Sequence, residues 1–274
     1  MIRKPSVAGQ FYPASPQELQ RMIGEYLNRA QMREIKGKIA GLIVPHAGYI
    51  FSGQRAAEAY KALVGKSYNN VVVVSPSHQE FFDYLSIYPG DGYETPLGII
   101  KRTLDFDDLV DSSPGCRFSE TGHRFEHALE VQLPFLQVVL KEPFCLLPMV
   151  IGNQNEANIE HLAAFLKKIK AKDPDVLIIA SSDLSHFHRA SVAYEMDNTW
   201  INAMKAYDVH RLKEYFFSDT CEACGGGGII AVMKALQSDK TSILVTGYTH
   251  SGEINMDHSS VVGYTSAIII EDIS

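Results

Sequence analysis

The segment VLIIASSDLSH, residues 176–186, passes without a break from an apolar run into a cluster of polar and titratable groups. A short run rich in β-branched residues, with no polar alternation, reads as a strand covered on both faces. Ser182, Asp183, Ser185 and His186 then fall just past its carboxyl end. Two other segments repeat the arrangement. IAGLIV (39–44) runs into Pro45-His46-Ala47-Gly48-Tyr49, and VVVVS (71–75) runs into Pro76-Ser77-His78. Ligands of open α/β sheets bind in the crevice outside the carboxyl ends of the strands. If these strands are parallel neighbours, the three loops converge there.

Working outward, CLLPMVI (145–151), SILVTGY (242–248) and VVGYTSAIII (261–270) also read as buried strands. Helical patterns lie between them. Ser15-Pro16-Gln17-Glu18 is a capping box with Pro at the first helical position. Leu19, Met22, Ile23, Tyr26 and Leu27 follow as one apolar stripe at helical spacing. Further helices are predicted over 53–64, 126–141, 156–170, 189–206 and 225–237. This alternation predicts an α/β layer fold around one central sheet. The segment 84–102 lacks a helical interval and reads as a hairpin, so the sheet is expected to be mixed though largely parallel. No linker, repeat or composition break interrupts the chain, and residues 1–274 are read as a single domain.

At 274 residues the chain can bury a large core without disulfide staples. Its formal net charge is -7, and no stretch gathers enough Lys and Arg to track phosphates, which argues against nucleic acid as the main partner. The N-terminus lacks the apolar core of a secretory signal, and no apolar run approaches the roughly 18 residues of a membrane span. The four cysteines (116, 145, 221 and 224) are too scattered for a secreted disulfide framework. A cytoplasmic location is expected.

A further feature is Cys224, followed by Gly225-Gly226-Gly227-Gly228 and the apolar helix pattern IIAVMKAL. A cysteine at a helix start meets unpaired N–H groups and the positive end of the dipole, which favours thiolate. The glycines allow close backbone approach. Two imidazoles and a thiolate suit Zn, Fe or Cu, whereas Mg and Ca prefer oxygen. The single Cys221/Cys224 pair is weak evidence for a zinc ribbon, and the glycine run lacks the Lys and Ser/Thr of a P-loop. Asp183 and His186 read as further ligands, as an acid/base pair, or as a local cap and turn. Glu126, His127 and Glu130 sit on the predicted 126–141 helix; His123 and His127 are spaced i to i+4, which can chelate, and more often such groups form a solvated face or orient metal-bound imidazoles. Cys116, Cys145 and His161 read as structural.

Taken together, SVAGQFYP (6–13), PHAGYIFSG (45–53), PSH (76–78), YETPLG (93–98), EHALEVQLPF (126–135), SSDLSH (181–186), CGGGG (224–228) and SVVGYTSA (260–267) resemble the Memo family. Its bacterial and archaeal members are often called AmmeMemoRadiSam system protein B. The resemblance runs almost end to end. It implies a fold similar to class III extradiol dioxygenases of the LigB type, in which two His and one Glu hold Fe(II). It also implies that His46, His78 and Cys224 are the metal ligands here, with a thiolate where those enzymes have a carboxylate. That replacement alters the charge and redox behaviour of the metal, so dioxygenase activity does not carry over with the fold.

Three functions follow as expectations. The first is a redox enzyme with Fe(II), or with copper as the alternative, on His46, His78 and Cys224, in which Asp183 and His186 move protons. The second is a peptide- or protein-binding module that reuses the cleft. The family name implies radical SAM and AMMECR1-like protein partners. The third is zinc-dependent hydrolysis through a metal-bound water.

Overall fold

The computed structural model describes residues 1–31 and 34–272. It opens with β1 (Ile2–Arg3), α1 (Pro16–Arg29), β2 (Lys38–Val44), α2 (Tyr49–Tyr60) and β3 (Asn70–Pro76). Short elements follow: β4 (Leu85–Ile87), β5 (Gly92–Thr95), β6 (Gly98–Lys101), α3 (Asp107–Asp111) and β7 (Cys116–Phe118). Next come α4 (Leu133–Val139), β8 (Cys145–Ile151), α5 (Glu156–Lys172), β9 (Leu177–Ser181) and β10 (His186–His188). The chain closes with α6 (Ala190–Lys205), α7 (Val209–Phe217), α8 (Gly226–Leu236), β11 (Thr241–His250), α9 (Gly252–Asn255) and β12 (Val261–Glu271).

The main sheet has the order β10-β12-β2-β9-β3-β8-β4-β7, with β11 also paired to β12. At its centre β2, β9, β3 and β8 are mutually parallel. β12 joins β2 antiparallel, and β4 joins β8 antiparallel. The sheet is thus mixed and largely parallel, and the 84–102 segment contributes to the mixing only through β4, not through a hairpin. Its hairpin, β5 with β6, pairs instead with β1 in a separate three-stranded sheet. Gly98, Ile99 and Lys101 are exposed, and such a ribbon is unsuited to a layer covered on both faces.

The unbroken apolar runs are covered on both sides, as their composition requires. Ile178 and Ala180 of β9 pack with Ile159 and Leu162 of α5 and Ile229 and Val232 of α8. Leu177 and Ile179 face the other way, toward Ala56 and Ala57 of α2 and Leu19 and Ile23 of α1. Ser15 caps α1 by accepting the Glu18 N–H, as the capping box predicts.

Two helix expectations need correction. The 126–141 segment is irregular to Leu129, makes a 3-10 turn at Glu130–Gln132, and becomes helical only in α4. Its Glu126 and Glu130 side chains are engaged by N–H groups remote in sequence, of His78 and of Ser6 and Val7. α7 was not foreseen; it starts at the Asp208 cap and packs Val209, Leu212, Tyr215 and Phe216 against the core. No helix among the described residues is long and apolar enough to cross a membrane.

Candidate metal centre

The central strands bring the predicted loops together. α2 carries the chain from β2 to β3, and α5 carries it from β8 to β9, each skipping one strand. The two crossovers lie on opposite faces, which opens a crevice at the carboxyl ends of β2, β9 and β3. His46 follows β2, Asp183 follows β9 and His78 follows β3. Cys224 reaches the same crevice from the turn before α8. One ligand atom each from His46, His78 and Cys224 lie within 4.8 Å of one another, a grouping that could hold a metal ion. His46 Nε2 is 3.1 Å from Cys224 Sγ, and the His46 and His78 ring centroids are 5.1 Å apart.

Hydrogen bonding sets the tautomers. Ser181 Oγ donates to the Ala128 carbonyl at 2.7 Å, so its lone pairs accept. Gln132 Nε2 donates to it at 2.7 Å, and His46 Nδ1 lies 3.0 Å away. Having spent its only proton, Ser181 makes His46 Nδ1 the donor and leaves the Nε2 lone pair facing Cys224. His78 is arranged alike. Its Nδ1 lies 2.9 Å from Glu126 Oε1, and its backbone N–H donates to Glu126 Oε2 at 2.6 Å. Imidazoles anchored through one nitrogen and free at the other are the usual form of metal-bound His.

Charge state follows burial. His46 is buried, and burial together with the nearby His78, His127 and His186 holds its pKa well below the ordinary value. It is therefore a neutral imidazole, the ligating form. Burial lowers the His78 pKa too, but the Glu126 hydrogen bond and charge outweigh this and raise it.

Cys224 departs from expectation. Burial first, and the neighbouring Asp183 second, push its thiol well above the usual range, although Asp183 N–H donates to Sγ at 3.2 Å. The N–H groups meant to favour thiolate are already engaged. Gly225 N–H donates to Ser182 Oγ at 2.9 Å, and Gly227 N–H to Gln154 Oε1 at 2.9 Å. Without a metal Cys224 is a thiol; a bound cation would deprotonate it. The glycine at 225 is needed for the approach, since a Cβ there would stand 2.3 Å from the Ser181 carbonyl oxygen. Cys221 lies apart in the core, its thiol directed at the Met196 carbonyl.

Asp183 joins the loops. Its Oδ1 accepts the His46 N–H at 2.7 Å and the Ala47 N–H at 3.3 Å, and its carbonyl accepts the Cys224 N–H at 3.3 Å. Burial pushes the carboxyl up to about 7 against the lowering effect of those N–H groups. His186 is half-buried, its N–H donates to Glu222 at 3.2 Å, and burial lowers its pKa. Its charge would disfavour protonation of His46, and that of His78 disfavours its own, which puts His186 near the same crevice.

Sequence reasoning ranked Glu126 and His127 too low. They are not on a helix: Glu126 is buried against His78, and the His127 ring lies 4.8 Å from that of His78 and 5.5 Å from that of His46. His123 does not chelate with His127; its nitrogens meet Tyr93 Oη at 2.6 Å and the Ser86 carbonyl at 3.1 Å. Glu130 binds Arg3, Ser6, Val7 and Tyr12 instead, fastening SVAGQFYP to the turn before α4. Ser181, Gln132 and Gln154 were missed as site residues because a hydroxyl or amide carries no pattern until its partners are known.

The family model described as Memo-like protein matches residues 3–268. A MEMO1 family protein of Thermoplasma volcanium is 32% identical over 275 residues, covering 100% of both chains. One from Methanosarcina barkeri is 36% identical over 272 residues, covering 98% of this chain and 100% of its own. One from Aquifex aeolicus is 33% identical over 273 residues, covering 98% of this chain and 99% of its own. With the family model matched almost end to end and relatives of this identity over their full length, the chain belongs to the Memo-like protein family.

Proposed function

We propose that His46, His78 and Cys224 hold a redox-active first-row transition metal, Fe(II) in the first instance with copper as the alternative, for redox chemistry on a small substrate. The observation that carries this reading is the convergence of three ligand atoms within 4.8 Å, with both imidazoles anchored at Nδ1. The donor set fits: two neutral nitrogens and a sulfur suit these metals and disfavour Mg and Ca. Three protein ligands leave positions open, as in reactive rather than structural sites. Such a metal, when bound, supplies Lewis acidity and, for iron or copper, electron transfer.

The chain's own groups supply the rest. His78 stands on the exposed side of the crevice and gives a substrate its approach. Asp183, its carboxyl near neutral, exchanges a proton at its carboxylate oxygens, and His186 offers a second acceptor. Metal analysis of protein purified without chelator tests the reading. Bound iron or copper in wild type, reduced by about one equivalent per chain in Cys224→Ser, is expected. No transition metal in either preparation would overturn it, and redox-silent zinc at full occupancy would replace it with metal-assisted hydrolysis.

A further inference from the structure

Glu126 is a buried carboxylate whose ion-pair contacts are both imidazoles, His78 and His127. The nearby Arg3 does not neutralise it, donating instead to the Glu126 carbonyl at 2.6 Å and pairing with Glu130. A buried anion ordinarily needs a cation as well as hydrogen bonds, which here come from the His78 and Ala128 N–H groups. Glu126 Oε1 lies 2.9 Å from His78 Nδ1 and 3.3 Å from His127 Nδ1. Ligands about 2.1 Å from one ion lie roughly 3.0 Å apart at right angles and roughly 3.4 Å apart at tetrahedral angles. The contacts therefore have the spacing of a coordination sphere as well as that of shared protons. Ligand atoms of all three residues lie within 4.8 Å of one another, and the His127 ring is half-buried against Phe11 at 4.7 Å.

We propose that His78, Glu126 and His127 form a second metal position, which His78 bridges to the first through its two ring nitrogens. Two imidazoles and one carboxylate are a donor set for divalent Fe, Co, Zn or Mn. It differs from the first set in having no sulfur, so the two positions prefer different ions. On metal entry the Nδ1 proton of His78 passes to solvent. With both positions filled, His78 is a bridging imidazolate. The inference shares with the proposed redox centre both His78 and its Glu126 contact, and adds His127.

Cobalt titration of the metal-stripped chain tests it, with stoichiometry from equilibrium dialysis and absorption followed from the near-ultraviolet to the visible. Wild type is expected to bind two Co²⁺ per chain, one of them with a thiolate charge-transfer band. Cys224→Ala, or Cys224→Ser if that variant folds poorly, is expected to keep one Co²⁺ without the band. Adding His127→Phe, which preserves a ring against Phe11, is expected to weaken that remaining site at least tenfold. Failure of the Cys224 variants to bind Co²⁺, or binding that His127→Phe leaves unchanged, would overturn the second position. The thiolate band reports on Cys224 alone, so its absence in wild type would count against the first centre separately.

Discussion

Ser181 shows how much of the site rests on a residue with no charge. Its hydroxyl fixes the His46 tautomer while also serving Gln132 and Ala128. Ser181→Ala should weaken metal binding by roughly 10–100-fold, the usual effect of removing a ligand's orienting partner. Competition against a chelator of known affinity measures this; an unchanged affinity would refute the tautomer assignment. Asp183 gives a pH signature. Its pKa is raised on folding from 3.8 to about 7, so its contribution is full below about pH 4 and lost as pH rises through about 7. The loss is on the order of 4 kcal/mol in the metal-free protein. Asp183→Asn keeps the Oδ1 acceptor and cannot ionise. Urea unfolding should show the variant gaining on wild type between pH 4.5 and 7.5, and parallel curves would contradict this. Of these residues the sequence displayed His46, His78 and Asp183, because each ends an apolar run. Cys224 was legible as a candidate from its helix start and promoted to third ligand by family resemblance, but its proton state was misread because burial outweighs a helix start whose N–H groups Ser182 and Gln154 already hold.

Among elements, the strands were the most legible and the 126–132 segment the least. β2, β3, β8 and β9 announce themselves because burial on both faces demands continuous apolar residues. Residues 126–132 carry helical spacing, yet tertiary partners take their carboxylates and hold the chain open. The hydrogen bonds responsible span 48 residues for Glu126 to His78 and 124 for Glu130 to Ser6, beyond any local pattern. The buried Arg3–Glu130 pair joins β1 to the turn before α4. Arg3 and the surrounding N–H groups hold the Glu130 pKa below its ordinary value despite burial, so the pair stabilises above about pH 4.5 and fades as pH falls. Arg3→Met leaves the carboxylate buried without its cation and should cost about 3–5 kcal/mol at neutral pH. A shift in the denaturant midpoint checks this; a loss under about 1 kcal/mol would show that the latch contributes little.

For the whole molecule, the sheet order matters more than any one motif. The parallel set β2-β9-β3-β8 aligns four carboxyl ends, and the loops after them supply His46, Asp183, His78 and Gln154. Alternation of strands and helices predicted this layering, while the division of 84–102, with β4 in the main sheet and β5 and β6 outside it, did not follow from its composition. A metal that binds only the assembled crevice must also stabilise the fold, by about 2.7 kcal/mol at a hundredfold excess over Kd. X-ray absorption on the iron-loaded chain tests the centre most directly. The account predicts one sulfur at about 2.3 Å together with nitrogens at about 2.0–2.1 Å, values set by analogy with zinc, and loss of the sulfur shell in Cys224→Ser. A metal bound without sulfur in wild type, or a spectrum unchanged in Cys224→Ser, would contradict it.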